Sequence, residues 1–270
     1  MTDESRLTLN VENGVGHVQL SRPLAANAID LTFAREFELA AIGCAESDVR
    51  VVYITALGRQ FCVGGDLKSF IQEEHLGRHL DEVTKHLHAG IVTLFDIDAP
   101  VVVAVNGAVA GAGLGIIMVA DLVFASASST FLMAYTRLGL SPDGATSWFL
   151  PRMVGLRRAL DMALTNRVLD ANEALEWGLV SRVVEGDAEN EAGRLVETLA
   201  SGSTAAFGAS ARLIHQGLQR SLIEQLEAEA AQIVELAHGT TARENIVGFL
   251  GGRDGTQPLL GPISDKRFAI

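Results

Sequence analysis

The stretch between Asp98 and Asp121 carries no charged residue, and no other feature restricts the fold as strongly. An uncharged run of this length could cross a bilayer as a helix. Helix breakers interrupt it, however, at Pro100, Asn106, Gly107, Gly111, Gly113 and Gly115. The β-branched residues 101–105 are typical of a buried strand, and residues 112–119 favour a buried helix after a turn. The sequence therefore predicts a strand–turn–helix unit inside the protein, with no membrane partner.

The rest of the chain alternates strands with helices up to about residue 142 and is mostly helical beyond it. Asn13-Gly14 predicts a hairpin between two initial strands. Apolar residues recur at helical spacing over 76–94, which indicates a long amphipathic helix. This order is typical of an α/β core. We assign the core to residues 1–200 and a C-terminal helical region to residues 201–270.

The charge and the cysteines exclude several classes of protein. The net charge is −12, so a nucleic-acid partner is not expected, because its phosphates require clustered lysine and arginine. Cys44 and Cys62 have no partners at metal-ligand spacing, so neither a metal site nor a disulfide is predicted. Reduced cysteines and a polar N-terminus favour a cytoplasmic location.

Two glycine-rich turns, at residues 61–67 and 106–113, each follow a strand and precede a helix. A helix N-terminus exposes free N–H groups and the positive end of the helix dipole, so such a turn can stabilise a negative charge on oxygen. Taken alone, each motif also fits an ordinary tight turn. The glycine order does not match the G-x-G-x-x-G of a dinucleotide site.

Five ordered motifs carry a family resemblance: residues 21–28, 61–67, 104–113, 138–143 and 173–180. Together they resemble the crotonase (enoyl-CoA hydratase/isomerase) superfamily over nearly the whole chain. The resemblance implies a spiral of ββα units and a C-terminal helical trimerisation region. It also implies a homotrimer or a dimer of trimers.

The resemblance further implies the substrate and a set of site residues. The substrate would be an acyl-CoA thioester, with no cofactor apart from the coenzyme A that the substrate carries. Gly65 and Ala112 stand where the family's two oxyanion N–H donors stand. Phe249 is expected to reach a ligand in a neighbouring subunit. The residues near the coenzyme A segments are Leu24, Ala26, Val63, Asp66 and Leu67.

Two departures from the family pattern decide which reaction is expected. Hydratases of the family use two glutamates, and this chain has Gly115 and Tyr135 in their places. A glycine transfers no proton, and a phenol with a pKa near ~10 is a poor base at neutral pH. Ordinary hydration is therefore not expected, and restoring both glutamates should raise it. Tyr135 is instead predicted to line the acyl pocket.

Asp143 is the carboxylate that remains, and it matches the aspartate of isomerase-like members, where it shuttles a proton. Its Pro-Asp-Gly setting also fits a structural helix cap. His88 introduces a second hypothesis, since the chain also resembles 4-chlorobenzoyl-CoA dehalogenases. There an aspartate attacks the ring and a histidine activates water, at the places of Asp143 and His88. A third hypothesis is a catalytically silent acyl-CoA-binding member. Isomerisation through Asp143 is the favoured interpretation.

Overall fold

The computed structural model describes residues 5–250 and shows an α/β fold. Nine strands are described: β1 (Leu7–Glu12), β2 (Val15–Leu20), β3 (Val51–Ala56), β4 (Val101–Val105), β5 (Ala108–Ala110), β6 (Leu122–Ser126), β7 (Thr130–Leu132), β8 (Leu169–Asp170) and β9 (Arg182–Val184).

Helices follow most of these strands and make up the C-terminal quarter of the described chain. They are α1 (Leu31–Glu46), α2 (Leu67–Phe70), α3 (Leu76–Asp96), α4 (Gly113–Met118), α5 (Thr146–Val154), α6 (Leu156–Thr165), α7 (Ala171–Trp177), α8 (Ala188–Ser201), α9 (Thr204–Gly217), α10 (Leu222–His238) and α11 (Thr240–Leu250). Short 3-10 helices lie at Pro23–Ala25 and Tyr135–Leu138.

The strands form two sheets. The larger has the order β1-β2-β3-β4-β6-β9, and all of its neighbours are parallel except the β1–β2 hairpin. That hairpin turns at Asn13, whose φ of 53° is the left-handed conformation that its turn type requires. The smaller sheet has the order β5-β7-β8. The chain runs from the end of β4 directly into β5, and from the end of β6 into β7. These loops between the two sheets therefore lie at the carboxyl ends of β4 and β6.

Side chains alternate between the two faces of the large sheet, as the pleat requires. Val52, Ile54 and Val103 face the main core, which also contains the buried faces of α1 and α3. Val51, Tyr53, Val102, Ala104 and Phe124 face the other way and pack against Ala192, Leu195 and Val196 of α8. The central strands are covered on both faces, which explains why their sequences are continuously apolar.

The uncharged stretch forms the buried unit that the sequence predicts, with one addition. β4 and α4 are both fully buried, and the three-residue strand β5 lies between them. Within residues 5–250 no helix is long and apolar enough to span a membrane.

The C-terminal helices separate into one that forms ion pairs with the core and two that bury none of their described residues. In α9, Arg212 pairs with Asp98 and His215 lies 3.5 Å from Asp121. The helix backbone also approaches the Asp98 carbonyl closely at Gly208, where a side chain would collide with it. In the described part of the chain, α10 and α11 bury no residue. The predicted helical region is confirmed up to residue 250, and its remainder, 251–270, lies outside the described residues. Its division from the core as a separate domain stays a prediction.

Candidate active site

Asn27 explains the motif that opens the family resemblance. Its side chain is fully buried, and its Oδ1 accepts from the Arg22 N–H at 2.9 Å. Its Nδ2 donates to the carbonyls of Leu57 and Gln60, both at 3.0 Å. A buried amide must satisfy both of its ends, so Asn27 fixes the segment around Ala26 against the loop that leads into the first glycine-rich turn.

Asp66 fixes the same segment to the first turn by charge. The Arg22 guanidinium lies 2.7 Å from its carboxylate, and the carboxylate also accepts from the N–H groups of Lys68 and Ser69 as the cap of α2. Burial alone would raise the pKa of Asp66, but these hydrogen bonds and the arginine charge outweigh it and hold the pKa below its ordinary value. The Asp66 side chain therefore organises the turn.

The two glycine-rich turns lie side by side. Cys62 and Val109 form a parallel bridge, and the Ala110 N–H donates to the Cys62 carbonyl at 2.9 Å. A methyl group on Gly64, which has a φ of +85°, would lie 2.8 Å from the Ala110 oxygen, so the close approach requires glycine there. The sequence predicts two separate turns, and the fold brings them into contact.

Gly65 and Ala112 present free N–H groups beside this contact. Within residues 5–250, neither N–H donates to any other group, although Ala112 is buried. A buried N–H without a partner is costly, and such groups mark sites where a ligand supplies the acceptor. The Phe70 ring packs over Gly65, where any side chain would collide with it. Both predicted donors are therefore available to an acceptor, and their role as an oxyanion hole stays a prediction.

Asp143 does not cap a helix. α5 begins after Ala145 without a side-chain cap, and the carboxylate accepts from no backbone N–H within the described residues. Instead, Oδ1 accepts a 2.5 Å hydrogen bond from the Tyr135 hydroxyl. Thr146 donates to the Asp143 carbonyl through both its hydroxyl and its N–H. The contacts hold the carboxylate in place and leave Oδ2 without a partner in this part of the chain.

Tyr135 is a hydrogen-bond donor and cannot act as a base here. Burial, followed by the charge of Asp143 and the hydrogen bond to it, raises the pKa of the Tyr135 phenol far above its usual value. The hydroxyl therefore remains protonated. The sequence predicts that this side chain lines the acyl pocket, and the structure directs its hydroxyl to Asp143.

Gly115 and Gly144 pack together where the family's first glutamate would stand. A Cβ on Gly115 would lie 2.1 Å from the Gly144 carbonyl oxygen. Gly144, with a φ of +59°, in turn lies over Ala112, whose Cα and Cβ are both 3.6 Å from the point where a Gly144 Cβ would be. The place of the glutamate side chain is therefore filled by the Gly144 carbonyl group. The expectation that glutamate can simply be restored at residue 115 is wrong for this backbone.

His88 lies at the same site. It is exposed on α3, and its Nε2 accepts from the Gly144 N–H at 3.1 Å. Since an N–H group donates to Nε2, that nitrogen is unprotonated and the proton of the neutral ring is on Nδ1. The structure brings His88 next to Asp143, as the dehalogenase-like hypothesis requires. The Nε2 lone pair, however, is already occupied by the Gly144 N–H.

The remaining predicted residues are those assigned to coenzyme A binding, which lie on two joined segments, and Phe249, which lies on α11. The Val63 N–H donates to the Ala26 carbonyl at 3.3 Å, which joins the two segments assigned to coenzyme A. Leu24, Val63 and Leu67 are exposed on these segments, as residues that contact a ligand would be. Phe249 is exposed on α11, and its contact with a neighbouring subunit stays a prediction.

Sequence reasoning missed Gly144, Arg22 and Thr146. The two glycines at residues 115 and 144 could have indicated a close approach, because Gly144 follows Asp143 and Gly115 lies three residues after Ala112. The pairing of Arg22 with Asp66 joins residues far apart in the chain, and no local signal predicts it.

Comparisons of the sequence and of the structure with known proteins point to the same family. The family model described as "Enoyl-CoA hydratase/isomerase" matches residues 10–256. A Rhodobacter capsulatus protein named "Probable enoyl-CoA hydratase" is 36% identical over 245 residues, covering 90% of this chain and 94% of the relative. The crystal structure of an enoyl-CoA hydratase/isomerase homologue from Mycobacterium abscessus matches with a TM-score of 0.88 and 36% identity, covering 91% of this chain and 96% of that one.

Relatives with other chemistries match almost equally well. The 4-chlorobenzoyl coenzyme A dehalogenase-2 of an Arthrobacter species is 33% identical over 241 residues, covering 87% of each chain. The 1,2-epoxyphenylacetyl-CoA isomerase of Escherichia coli is 32% identical over 251 residues, covering 90% of this chain and 95% of the relative. The chain belongs to the enoyl-CoA hydratase/isomerase family, within the crotonase superfamily, and is an acyl-CoA enzyme with the fold of that superfamily.

Proposed function

We propose that this protein is an enoyl-CoA isomerase that moves a carbon–carbon double bond along the acyl chain, with Asp143 as its single acid/base. The observation that carries the proposal is the placement of Asp143. Its carboxylate caps no helix and is fixed through Oδ1 by the Tyr135 hydroxyl. The next residue, Gly144, packs against Ala112 of the second glycine-rich turn. A fixed carboxylate with one free oxygen, in a protein that also presents two free backbone N–H groups, suits proton transfer next to a thioester.

The reaction needs a single carboxylate. Oδ2 of Asp143 removes a proton from Cα of a 3-enoyl-CoA, and the electron pair of that C–H bond moves into the thioester to form an enolate. The N–H groups of Gly65 and Ala112 stabilise the enolate oxygen. The carboxyl group then returns the proton to Cγ, the double bond forms between Cα and Cβ, and the thioester carbonyl is restored.

Hydration fits this site poorly. Adding water across a double bond requires a group that activates water and a space for that water. Gly115 offers no such group, the Gly144 peptide fills the space in front of it, and Tyr135 keeps its proton. Among the residues that the structure describes, Asp143 is the one carboxylate at this site that can transfer a proton, and Tyr135 binds it.

A second candidate is the hydrolytic route of the dehalogenase-like relatives, which the position of His88 beside the residue that follows Asp143 favours. In that route the Asp143 carboxylate attacks the chlorine-bearing ring carbon and chloride leaves, which forms an aryl ester. Water activated by His88 then cleaves the ester, releasing the hydroxylated ring and restoring the Asp143 carboxylate. A base must offer a free lone pair, and in this structure the Nε2 lone pair of His88 accepts from Gly144. The arrangement therefore gives His88 the task of holding the Gly144 peptide, which ranks hydrolysis second.

The test applies two assays, isomerisation and adduct formation, to the wild-type protein and two variants. Wild type should convert a 3-enoyl-CoA such as 3-hexenoyl-CoA to the conjugated 2-enoyl-CoA, while Asp143→Ala should be nearly inactive. His88→Gln should keep most isomerase activity. With 4-chlorobenzoyl-CoA, intact-protein mass spectrometry of His88→Gln should show no adduct on Asp143. An adduct would establish the hydrolytic route, and the absence of turnover on every thioester would establish a silent binding protein.

We also propose that the chain assembles as a homotrimer or a dimer of trimers. Large apolar side chains are exposed along the last three helices, including Ile214, Leu218, Leu226, Ile233, Val247 and Phe249. Exposed large apolar side chains in such number are typical of a protein interface. Sedimentation velocity at micromolar concentration measures the assembly directly.

A further inference from the structure

Tyr135 makes the shortest hydrogen bond at the candidate site, and its geometry is specific. Its hydroxyl donates to Oδ1 of Asp143 at 2.5 Å and lies 3.2 Å from the Asp143 carbonyl oxygen. A hydroxyl has one proton to donate, and the shorter, charge-assisted bond to the carboxylate is the stronger one. Tyr135 thus binds one carboxylate oxygen and leaves the other free.

The backbone that carries Tyr135 is fixed independently of Asp143. The residue before it, Ala134, has a φ of 63°, and the Tyr135 N–H donates to the Met133 carbonyl at 2.8 Å. The ring is buried, and it reaches Gly111, where its Cζ lies 4.0 Å from the point at which a Cβ would be. Tyr135 is therefore a rigid support that spans from the second glycine-rich turn to the carboxylate.

We propose that Tyr135 is a positioning residue that fixes the Asp143 carboxylate by its Oδ1, so that Oδ2 alone exchanges protons with the substrate. This inference rests on the proposed isomerase function. A carboxylate fixed in this way cannot rotate to present its two oxygens alternately. The same oxygen therefore removes the proton from Cα and returns it to Cγ, before solvent replaces it.

The chain offers a matched control for the loss of a buried phenol. Of its two tyrosines, the other is Tyr53, which lies on β3 and faces α8. Its hydroxyl donates to the Glu189 carbonyl at 2.6 Å. Tyr53→Phe and Tyr135→Phe each remove one buried tyrosine hydroxyl and one short hydrogen bond, but Tyr53 belongs to the packing between the sheet and α8.

Steady-state kinetics with 3-hexenoyl-CoA in D₂O separates positioning from packing. Tyr135→Phe should lower kcat by about 10- to 100-fold, the range for losing a hydrogen bond to a charged group, with little change in KM. The product from this variant should also contain more solvent deuterium at Cγ than the wild-type product. Tyr53→Phe should match wild type in both measurements. A kcat and deuterium content for Tyr135→Phe equal to those of Tyr53→Phe would overturn the inference and leave the isomerase function standing.

A second measurement does not depend on turnover. The proton in a short hydrogen bond between a phenol and a carboxylate gives a strongly downfield proton NMR signal. That signal should be present in wild type and Tyr53→Phe and absent in both Tyr135→Phe and Asp143→Ala. If wild type isomerises no 3-enoyl-CoA, the proposed function fails, and the NMR signal still decides whether Tyr135 fixes Asp143. A wild-type spectrum without the signal would contradict the positioning role.

Discussion

A single methyl group added at Gly115 should disable the site. In Gly115→Ala the new Cβ would lie 2.1 Å from the Gly144 carbonyl oxygen and 3.0 Å from its carbon, whereas real Cβ contacts essentially never fall below 3.0 Å. The Gly144 peptide must therefore retreat by roughly 1 Å, a displacement comparable to those that cost catalysis ~10²-fold. Because Asp143 and the Gly144 N–H that binds His88 directly precede this carbonyl in the chain, both would move with it.

The cost in stability can be estimated from the same contact. Overfilling a packed site typically costs ~1–3 kcal/mol, while replacing a helical glycine with alanine returns up to ~1 kcal/mol. We expect Gly115→Ala to lower the free energy of unfolding by about 1–2 kcal/mol. Gly193 in α8 is the matched control, because a Cβ there would meet nothing within 4 Å. Gly193→Ala should be neutral or stabilising and fully active.

Urea unfolding measures the stability of both variants, and conversion of 3-hexenoyl-CoA measures their activity. Gly115→Glu carries the same Cβ and should likewise fail to become a hydratase, even combined with Tyr135→Glu. The reasoning is refuted if Gly115→Ala has wild-type stability and kcat. It is also refuted if the double glutamate variant hydrates crotonyl-CoA at the ~10 s⁻¹ typical of enzymes.

Three further predictions follow from other parts of the structure. Ala112→Pro removes one oxyanion donor and should lower kcat by ~10²–10³-fold, whereas Ala112→Gly keeps the N–H and should stay active; full turnover in the folded proline variant would contradict the assignment. The pKa of Asp66 is lower in the folded protein than in the unfolded chain, where it is ~3.9. The ionised carboxylate therefore stabilises the fold above that pH, and this stabilisation is lost as the pH falls through the folded-state pKa. In urea unfolding, Asp66→Asn should thus lose less stability than wild type between pH 7 and pH 3. Ile233→Glu on the exposed face of α10 should shift the sedimentation coefficient toward the monomer, and an unchanged oligomer would place the interface elsewhere.

The parts of the fold with local signals could be predicted from the sequence. Asp30 caps α1 by accepting from the Phe33 N–H at 2.8 Å, and Asn13 forms the hairpin turn. Both are fixed by residues within a few positions of each other, so they appear directly in the sequence. The small sheet of β5, β7 and β8 escaped prediction because its strands are two or three residues long and show no periodicity.

The candidate site divides in the same way. The sequence predicts which residues stand at the site, since the glycine-rich turns and Asp143 belong to recognisable motifs. It does not predict how they touch. The hydrogen bond from Tyr135 to Asp143, the contact of Gly115 with Gly144 and the acceptor role of His88 all depend on the positive φ of Gly144 and on packing between separate elements. A glycine in a sequence does not show what fills the space beside it.

The most direct test of the central claim follows one proton through the reaction. A 3-enoyl-CoA carrying two deuterium atoms at Cα is incubated with wild type and with Asp143→Asn, and the products are analysed by NMR and mass spectrometry. If Asp143 is the single acid/base, wild type yields the 2-enoyl-CoA with deuterium transferred to Cγ of the same molecule, and Asp143→Asn yields almost no product. A hydrated or hydrolysed product from wild type, or isomerisation by Asp143→Asn at the wild-type rate, would contradict the account.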